Sequence, residues 1–363
     1  MMFDASLLPG PRTEGWRHGK INQLAGLPEF HADWSIMDGA LEGQCRVSFH
    51  DAGICLSEDL MGNCQLGERL IHPDHDDDVH GHLLNGKQVP FLEIKLANNE
   101  ALSLDFSGLH NILPLQINII VGDGCSSSIT LSNAGPNASL WLRMRVMLGN
   151  RANLQFMQHD VVPSRHRLFD LEVDQSDHSV FALLSLSPGG QYVRDEVTCR
   201  LAAHCRADLF SGHHLCQGAH RDLRLRVDHM GPQSQSNQDV RCVVHDRAVS
   251  GFDGLIHVAE AGAQTTAYQE SKVVLMEDGA LHHGKPELEI FQDDVVCSHG
   301  AAIGHLDKDA LFYLMSRGIA EENARNMLLE AFFSGLVEAA TPHLGALTPK
   351  GEEVLSLAKG LAS

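Results

Sequence analysis

The sequence predicts a mainly β protein, short strands stacked as in a parallel β-helix or paired in a sandwich, with a helical C-terminal region. Three observations predict it. Residues 91–300 carry almost no helical periodicity and break into short runs rich in Val, Leu, Ile and Phe. A common plan recurs through those runs. After Gly304 the pattern turns helical.

The runs are Phe91 to Leu96, Leu115 to Val121, Ser128 to Leu131, Leu140 to Met147, Asn153 to Met157, Leu168 to Val173 and Val180 to Leu186. Earlier, Val47 to Phe49 and Ile54 to Leu56 are shorter pieces of the same kind. The recurring plan is a polar turn, a small residue, then an alternating strand. Its small residues, Ala152, Ser179, Ala207, Ala248 and Ala280, lie 27, 28, 41 and 32 apart. Imperfect periods of this size suit stacked turns that share one core. An antiparallel sandwich or jelly roll gives the same short strands, and the pattern alone leaves both open.

Asp307 is the expected N-cap of a helix through Arg317, stopped by Gly318. A second helix is expected from about Glu321 to Ala340. Ala324, Met327, Leu328, Ala331, Phe332, Leu336 and Val337 would form its apolar face. A third is expected after Thr348-Pro349. These signals divide the chain into a cap region (1–45), in which Trp16 packs onto the body, a β-helix core (46–304) and a helical region (305–363).

Acidic residues number 47 and basic residues 27, a net charge of −20, which argues against nucleic acid and anionic membrane as partners. No apolar run reaches the length of a membrane span. The first residues show no basic stretch followed by an apolar one, and none of the nine cysteines forms a Cys-x-x-Cys pair. Both suit a cytoplasmic chain with reduced thiols.

Some motifs tempt and fail. His72-Pro-Asp-His75-Asp-Asp-Asp-Val-His80-Gly-His82 is rich in metal donors, but Asp, Gly and Pro together read more simply as a solvated loop. Gly81 to Lys87 approaches a phosphate loop, yet Gln88 stands where Ser or Thr must hold magnesium and Pro90 spoils the helix start.

Cys297 and His299 are different. The alternation of Leu288, Ile290 and Val295 is broken by Gly300 and Gly304, so the two residues fall where the β body gives way to the helical tail. Two metal-binding donors so placed can ligate iron or zinc, or face a partner.

Pro286-x-Leu-Glu-Ile, Asp293-Asp-Val-x-Cys297-Ser-His299-Gly-Ala, Gly304-x-Leu-Asp307 and Leu311-Phe-Tyr-Leu-x-Ser-Arg317-Gly-Ile319 together resemble the SufB/SufD family of iron–sulfur cluster assembly scaffolds. Gly300 after the histidine resembles the SufD branch, whereas the SufB branch tends to carry Glu there. Gln292, Val296 and Ala302 depart from the family's pattern. The resemblance implies a right-handed parallel β-helix core with helical N-terminal and C-terminal regions, which pairs with a SufB-like chain and docks a SufC-like ABC ATPase through its C-terminal helices. It implies that His299, with Cys297 beside it, meets a transient iron or iron–sulfur cluster shared with the partner and not tightly held in isolation. It implies a non-catalytic subunit whose Asp307, Leu311, Phe312, Tyr313, Arg317 and Gly318 belong to a partner interface. A homodimer of the chain alone stays open.

Two other functions are weighed against this one. A SufB-like, cluster-carrying role would need an internal cysteine route, for which Cys199, Cys205, Cys216 and Cys242 are available. A β-helix enzyme acting on acidic polysaccharide would need an exported chain that does not repel its substrate, against the charge of −20.

Overall fold

The computed structural model describes residues 35–36, 45–50, 53–57, 60, 63–71, 88–110, 112–132, 138–160, 164–348 and 359. Trp16, the 72–82 loop, most of the 81–88 stretch and the helix expected from Pro349 lie outside these residues.

The strands in chain order are β1 (Ser35–Ile36), β2 (Arg46–His50), β3 (Gly53–Leu56), β4 (Cys64–Leu70), β5 (Gln88–Leu96), β6 (Ala101–Gly108), β7 (Ile112–Val121), β8 (Ser126–Ser132), β9 (Ser139–Leu148), β10 (Asn153–His159), β11 (Ser164–Gln175), β12 (Val180–Ser187), β13 (Gly190–Leu201), β14 (Arg206–Leu215), β15 (His220–His229), β16 (Gln235–Val244), β17 (Val249–Val258), β18 (Thr265–Leu275), β19 (Leu281–Ile290) and β20 (Val295–Gly304). From β5 to β18 each strand pairs in parallel with the strand two later, and from β6 onward none pairs with its sequence neighbour. From β5 onward even-numbered strands build one sheet, which β1, β2 and β3 extend, and odd-numbered strands the other, which β4 extends. This is a parallel β-helix, and it excludes the antiparallel sandwich.

Leu154, Phe181, Ala207, Ser236, Ala267 and Cys297 are successive partners in one column. In this column a turn takes between 26 residues, Phe181 to Ala207, and 31 residues, Ser236 to Ala267. The irregular spacing of the small residues has a simple origin: they mark two different corners. Val180 N–H donates to Ala152 O, Arg206 N–H to Ser179 O and Gln235 N–H to Cys205 O, so the third member of that corner is Cys205, not Ala207. Ala248 and Ala280 stack with Ala219 at the entrance to the odd-numbered strands, where Val249 N–H donates to Ala219 O and Leu281 N–H to Ala248 O.

The recurrent polar turns also have a physical cause. Arg151, His178, His204, Gln233 and Gln264 all take left-handed backbone angles, φ 55–61°, within the small αL region allowed to L-residues. Each N–H points to a carbonyl of the next turn, as in His178 to Ala203 O and His204 to Pro232 O, both 2.9 Å.

Side chains inside the coil are mainly apolar, including Leu104, Ile117, Met144, Phe156, Leu171 and Val197. One buried polar layer is well paired. Arg167 donates from Nε and Nη2 to the two carboxylate oxygens of Asp195, at 2.9 and 2.6 Å, and from Nη1 to Asp160.

The two ends of the coil differ. At the first, β3 and β4 pair antiparallel with β2 and β5. At the other, β19 and β20 are the outermost strands of their sheets. Pro286 sits in the middle of β19, a placement that an edge strand tolerates because one side of its backbone has no partner.

Helix α1 (Lys308–Ser316) follows, with Asp307 as its cap: Oδ1 accepts from Asp309 N–H and Ala310 N–H at 2.9 and 3.0 Å. It ends on Gly318, φ 86°, where Gly318 N–H donates to Met315 O and Ile319 N–H to Leu314 O. That paired closure needs the left-handed conformation glycine adopts freely. Helix α2 (Glu321–Ala340) lies on the outer face of the even-numbered sheet. Leu329, Phe333, Leu336, Val337 and Ala340 pack there with Leu184, Leu186, Phe210 and Val243. The expected face was rotated. Ala324, Leu336 and Val337 are buried, but Met327 is exposed and Phe332 half-buried, with Leu329 and Phe333 taking the core.

Candidate functional site

The last turn begins at the corner between β19 and β20. Gly300 does not end the strand: it pairs with Glu270, and β20 runs on to Gly304, its last residue, which pairs with Val274. The break expected at Gly300 does not occur, whereas the one at Gly304 does. Neither glycine has a positive φ, and both add ladder pairs to β18.

Alternation decides where the side chains go. In β18, Thr265, Ala267, Gln269, Ser271 and Val273 are buried in the coil. Their partners in β20 are Val295, Cys297, His299, Ala301 and Ile303. Cys297 and His299 thus share the inward face of the outermost turn. They line the mouth of the coil rather than its flank.

Their settings differ. Cys297 is half-buried and packs with Ile256, Val258, Ala267, Leu288 and Val295. Burial pushes its thiol above the usual range, partly offset by a hydrogen bond with the Ala267 backbone. His299 is exposed. Among the described residues, no three His, Cys, Asp or Glu side chains converge on a point where they could hold a metal ion. The pair offers two donors and leaves the other positions of any bound iron to something else.

Three further residues shape the mouth. His282 on β19 is the partner of Ser250, whose hydroxyl lies 3.5 Å from Cys242 Sγ across the coil. His282 therefore also faces inward, and burial pulls its imidazole down to about 4. Directly beneath His299 is Gln269, and beneath that Gln238. The signal for all three was strand alternation, which identifies them only after register is known.

The residues assigned to a partner interface fall into two groups. Asp307 and Gly318 shape α1, as described. Arg317 closes it, with its guanidinium 5.2 Å from the Tyr313 ring and Nη2 3.1 Å from Tyr313 Oη. Phe312 is 73% exposed and Tyr313 56%, while Leu311 is half-covered; α1 has no buried residue at all. An apolar surface this open on an ordered helix is unusual for a solvated face.

The four cysteines considered for an internal route do not align. Cys199 is flanked in register by Val173 and Val227, and Cys242 by His213 and Val273. Cys205 lies at a corner, its Sγ 3.0 Å from Ser176 O, and Cys216 is half-buried near the opposite corner. All nine cysteines are free thiols. No helix among the described residues is long and apolar enough to cross a membrane.

Comparison with known proteins agrees with this geometry. Residues 109–332 match the family model described as "SUF system FeS cluster assembly, SufBD core domain". SufD of Escherichia coli is 39% identical over 118 residues, 32% of this chain and 28% of that protein. The chloroplast protein ABCI7 of Arabidopsis thaliana is 32% identical over 199 residues, 54% of this chain and 42% of its own length. SufD of Bacillus subtilis is 33% identical over 116 residues, 32% of this chain and 26% of that protein. The matched stretches thus span less than half of each relative. The match to the core model runs from before β7 well into α2, across more than half of the sequence, and on that extent the chain belongs to the SufBD family of the SUF iron–sulfur cluster assembly system.

Proposed function

We propose that this chain is a SufD-like scaffold subunit. It pairs with a SufB-like chain through its open last turn and docks a SufC-like ABC ATPase through its C-terminal helices. The cargo is a nascent iron–sulfur cluster, which His299 meets at the interface, with Cys297 as the second donor. The observation that carries this reading is the last turn itself: two edge strands with donors facing the mouth and, among the described residues, no third ligand grouped with them. Neutral imidazole binds iron well, and a cluster ordinarily needs more protein ligands than two. A second chain seated on the edge would supply the missing ones and pair the strands at the same time.

The exposed Phe312 and Tyr313 on α1 supply the ATPase-docking surface, and α2 ties that helix to the coil. Closure of the ATPase would then move the mouth of the coil. The chain itself is non-catalytic, and Gln88 denies it a phosphate loop. The sister role, a SufB-like carrier, is less well supported because Cys199, Cys205, Cys216 and Cys242 form no register-aligned line. A polysaccharide-active enzyme has no support in the family match.

The test is anaerobic recovery of tagged chain from its own cells, with the intact complex weighed by mass spectrometry. Co-recovery of an ATPase and a second β-helix chain is expected. His299→Ala should then lower cluster yield at least tenfold with assembly unchanged. Recovery of the chain without an ATPase at any salt concentration would overturn the reading.

A further inference from the structure

The column that ends in His299 changes character near the mouth of the coil. Its successive members are Ile129, Phe156, Leu183, Leu209, Gln238, Gln269 and His299. The first four are buried and apolar, as a stacked core requires. Gln238 and Gln269 are equally buried, 0% and 2% exposed, yet neither amide oxygen nor amide nitrogen of either has a hydrogen-bond partner. Elsewhere inside the coil, Arg167 and Asp195 make a two-point pair. Two adjacent buried carboxamides without partners cost stability that a Leu or Met would not.

The opposite wall is built around the upper amide. Its column reads Ile117, Met144, Leu171, Val197, Leu225, Gly254 and Pro286. The large apolar series stops at Gly254. A Cβ there would overlap Gln269 Nε2 and crowd the Phe252 ring, at 2.6 Å. Gln269 therefore spans the coil, and the missing side chain at Gly254 makes room for it. The polar residue and its space occur together, one turn beneath the exposed imidazole.

We infer that Gln269 is a positioning residue for His299. Its carboxamide oxygen, left without a partner inside the coil, is the acceptor that the N–H of an imidazole nitrogen meets when the exposed His299 ring turns inward. A histidine that binds a metal through one nitrogen is commonly oriented by an acceptor on the other. This fixes the neutral tautomer, so that the unprotonated nitrogen turns out of the mouth toward incoming iron. The inference rests on the reading of His299 as an iron ligand.

Gln269→Met keeps the side-chain length and removes both polar atoms. Gly254→Ala leaves Gln269 in the sequence but takes its space. The first readout needs no iron: the nitrogen-15 resonances of the imidazoles in the full chain at alkaline pH, with His299 assigned as the signal missing in His299→Gln. One tautomer is expected in the native chain, and a mixture in both variants, each folded by circular dichroism. The second readout is cluster yield of the complex after anaerobic addition of ferrous iron and sulfide, expected to fall about 10–100-fold in Gln269→Met. An unchanged tautomer in folded Gln269→Met overturns the positioning role. A changed tautomer with undiminished yield, in this variant and in His299→Ala alike, leaves the positioning contact standing and overturns the ligand reading instead.

Discussion

Cys297 and His299 are two residues apart on one strand, so they share a face, but the chemistry each can offer differs. Cys297 rests among Ile256, Ala267 and Leu288, and that cover holds it as a neutral thiol. Any metal that takes it must displace a proton, whereas the open His299 side chain can bind through a free nitrogen. Alkylation of Cys297 in the isolated chain, followed by peptide mapping over a pH series, should show a midpoint above that of an unhindered cysteine. A midpoint at or below the free value would mean that the thiol is activated, and would make it the primary donor. The placement of Cys297 and His299 together was legible in the sequence because they sit in a motif of fixed spacing. Gln238, Gln269 and Gly254 were not, since their meaning depends on which residues stack turn over turn. Contacts between residues about thirty positions apart leave no local trace in one sequence.

At the scale of elements, the two helices divide their labour. Phe333 of α2 is fully buried on the outer sheet with Phe210 and Val243, whereas Phe312 of α1 stands in solvent. Phe333→Ala should cost about 3–5 kcal/mol of stability by opening a cavity. Phe312→Ser should leave thermal unfolding within about 0.5 kcal/mol of native and weaken ATPase co-recovery. Equal stability losses in the two variants by chemical denaturation would contradict this division. Both helices were readable from capping and spacing: Asp307, Gly318 and the span Glu321–Ala340 all hold. The buried face of α2 was not, because Met327, Leu328, Leu329, Ala331, Phe332 and Phe333 form a nearly continuous apolar run. Such a run fits more than one helical face, and the apolar patch on β12, β14 and β16 selects one of them. Gly300 misled for a related reason. Glycine is a poor strand former on its own, but stacking on β18 supplies the ladder that carries it.

For the whole molecule, stacking couples stability to acidity. Burial pulls His166 and His229 down to about 4, and His229 has serine hydroxyls on both nitrogens, Ser234 at 2.7 Å and Ser236 at 2.8 Å. Unfolding returns each to about 6.5, so between those values the unfolded chain binds more protons than the folded one. Stability is therefore full above about pH 6.5 and is lost as pH falls toward 4, on the order of 1–3 kcal/mol for each histidine. The melting temperature should drop across that window, less steeply in His229→Gln; a flat profile would refute the assignment. The β-helix was legible as a repeat, though its period was blurred because the small residues marked two corners of the coil. The asymmetry of its ends was not legible at all. An uncapped turn accepts strands from any exposed edge as readily as from its proper occupant. On the pairing proposed above, a cell making more of this chain than of its partner therefore accumulates an aggregation-prone surplus. Balanced synthesis becomes a condition of solubility, and the amount of active chain follows the supply of its cover.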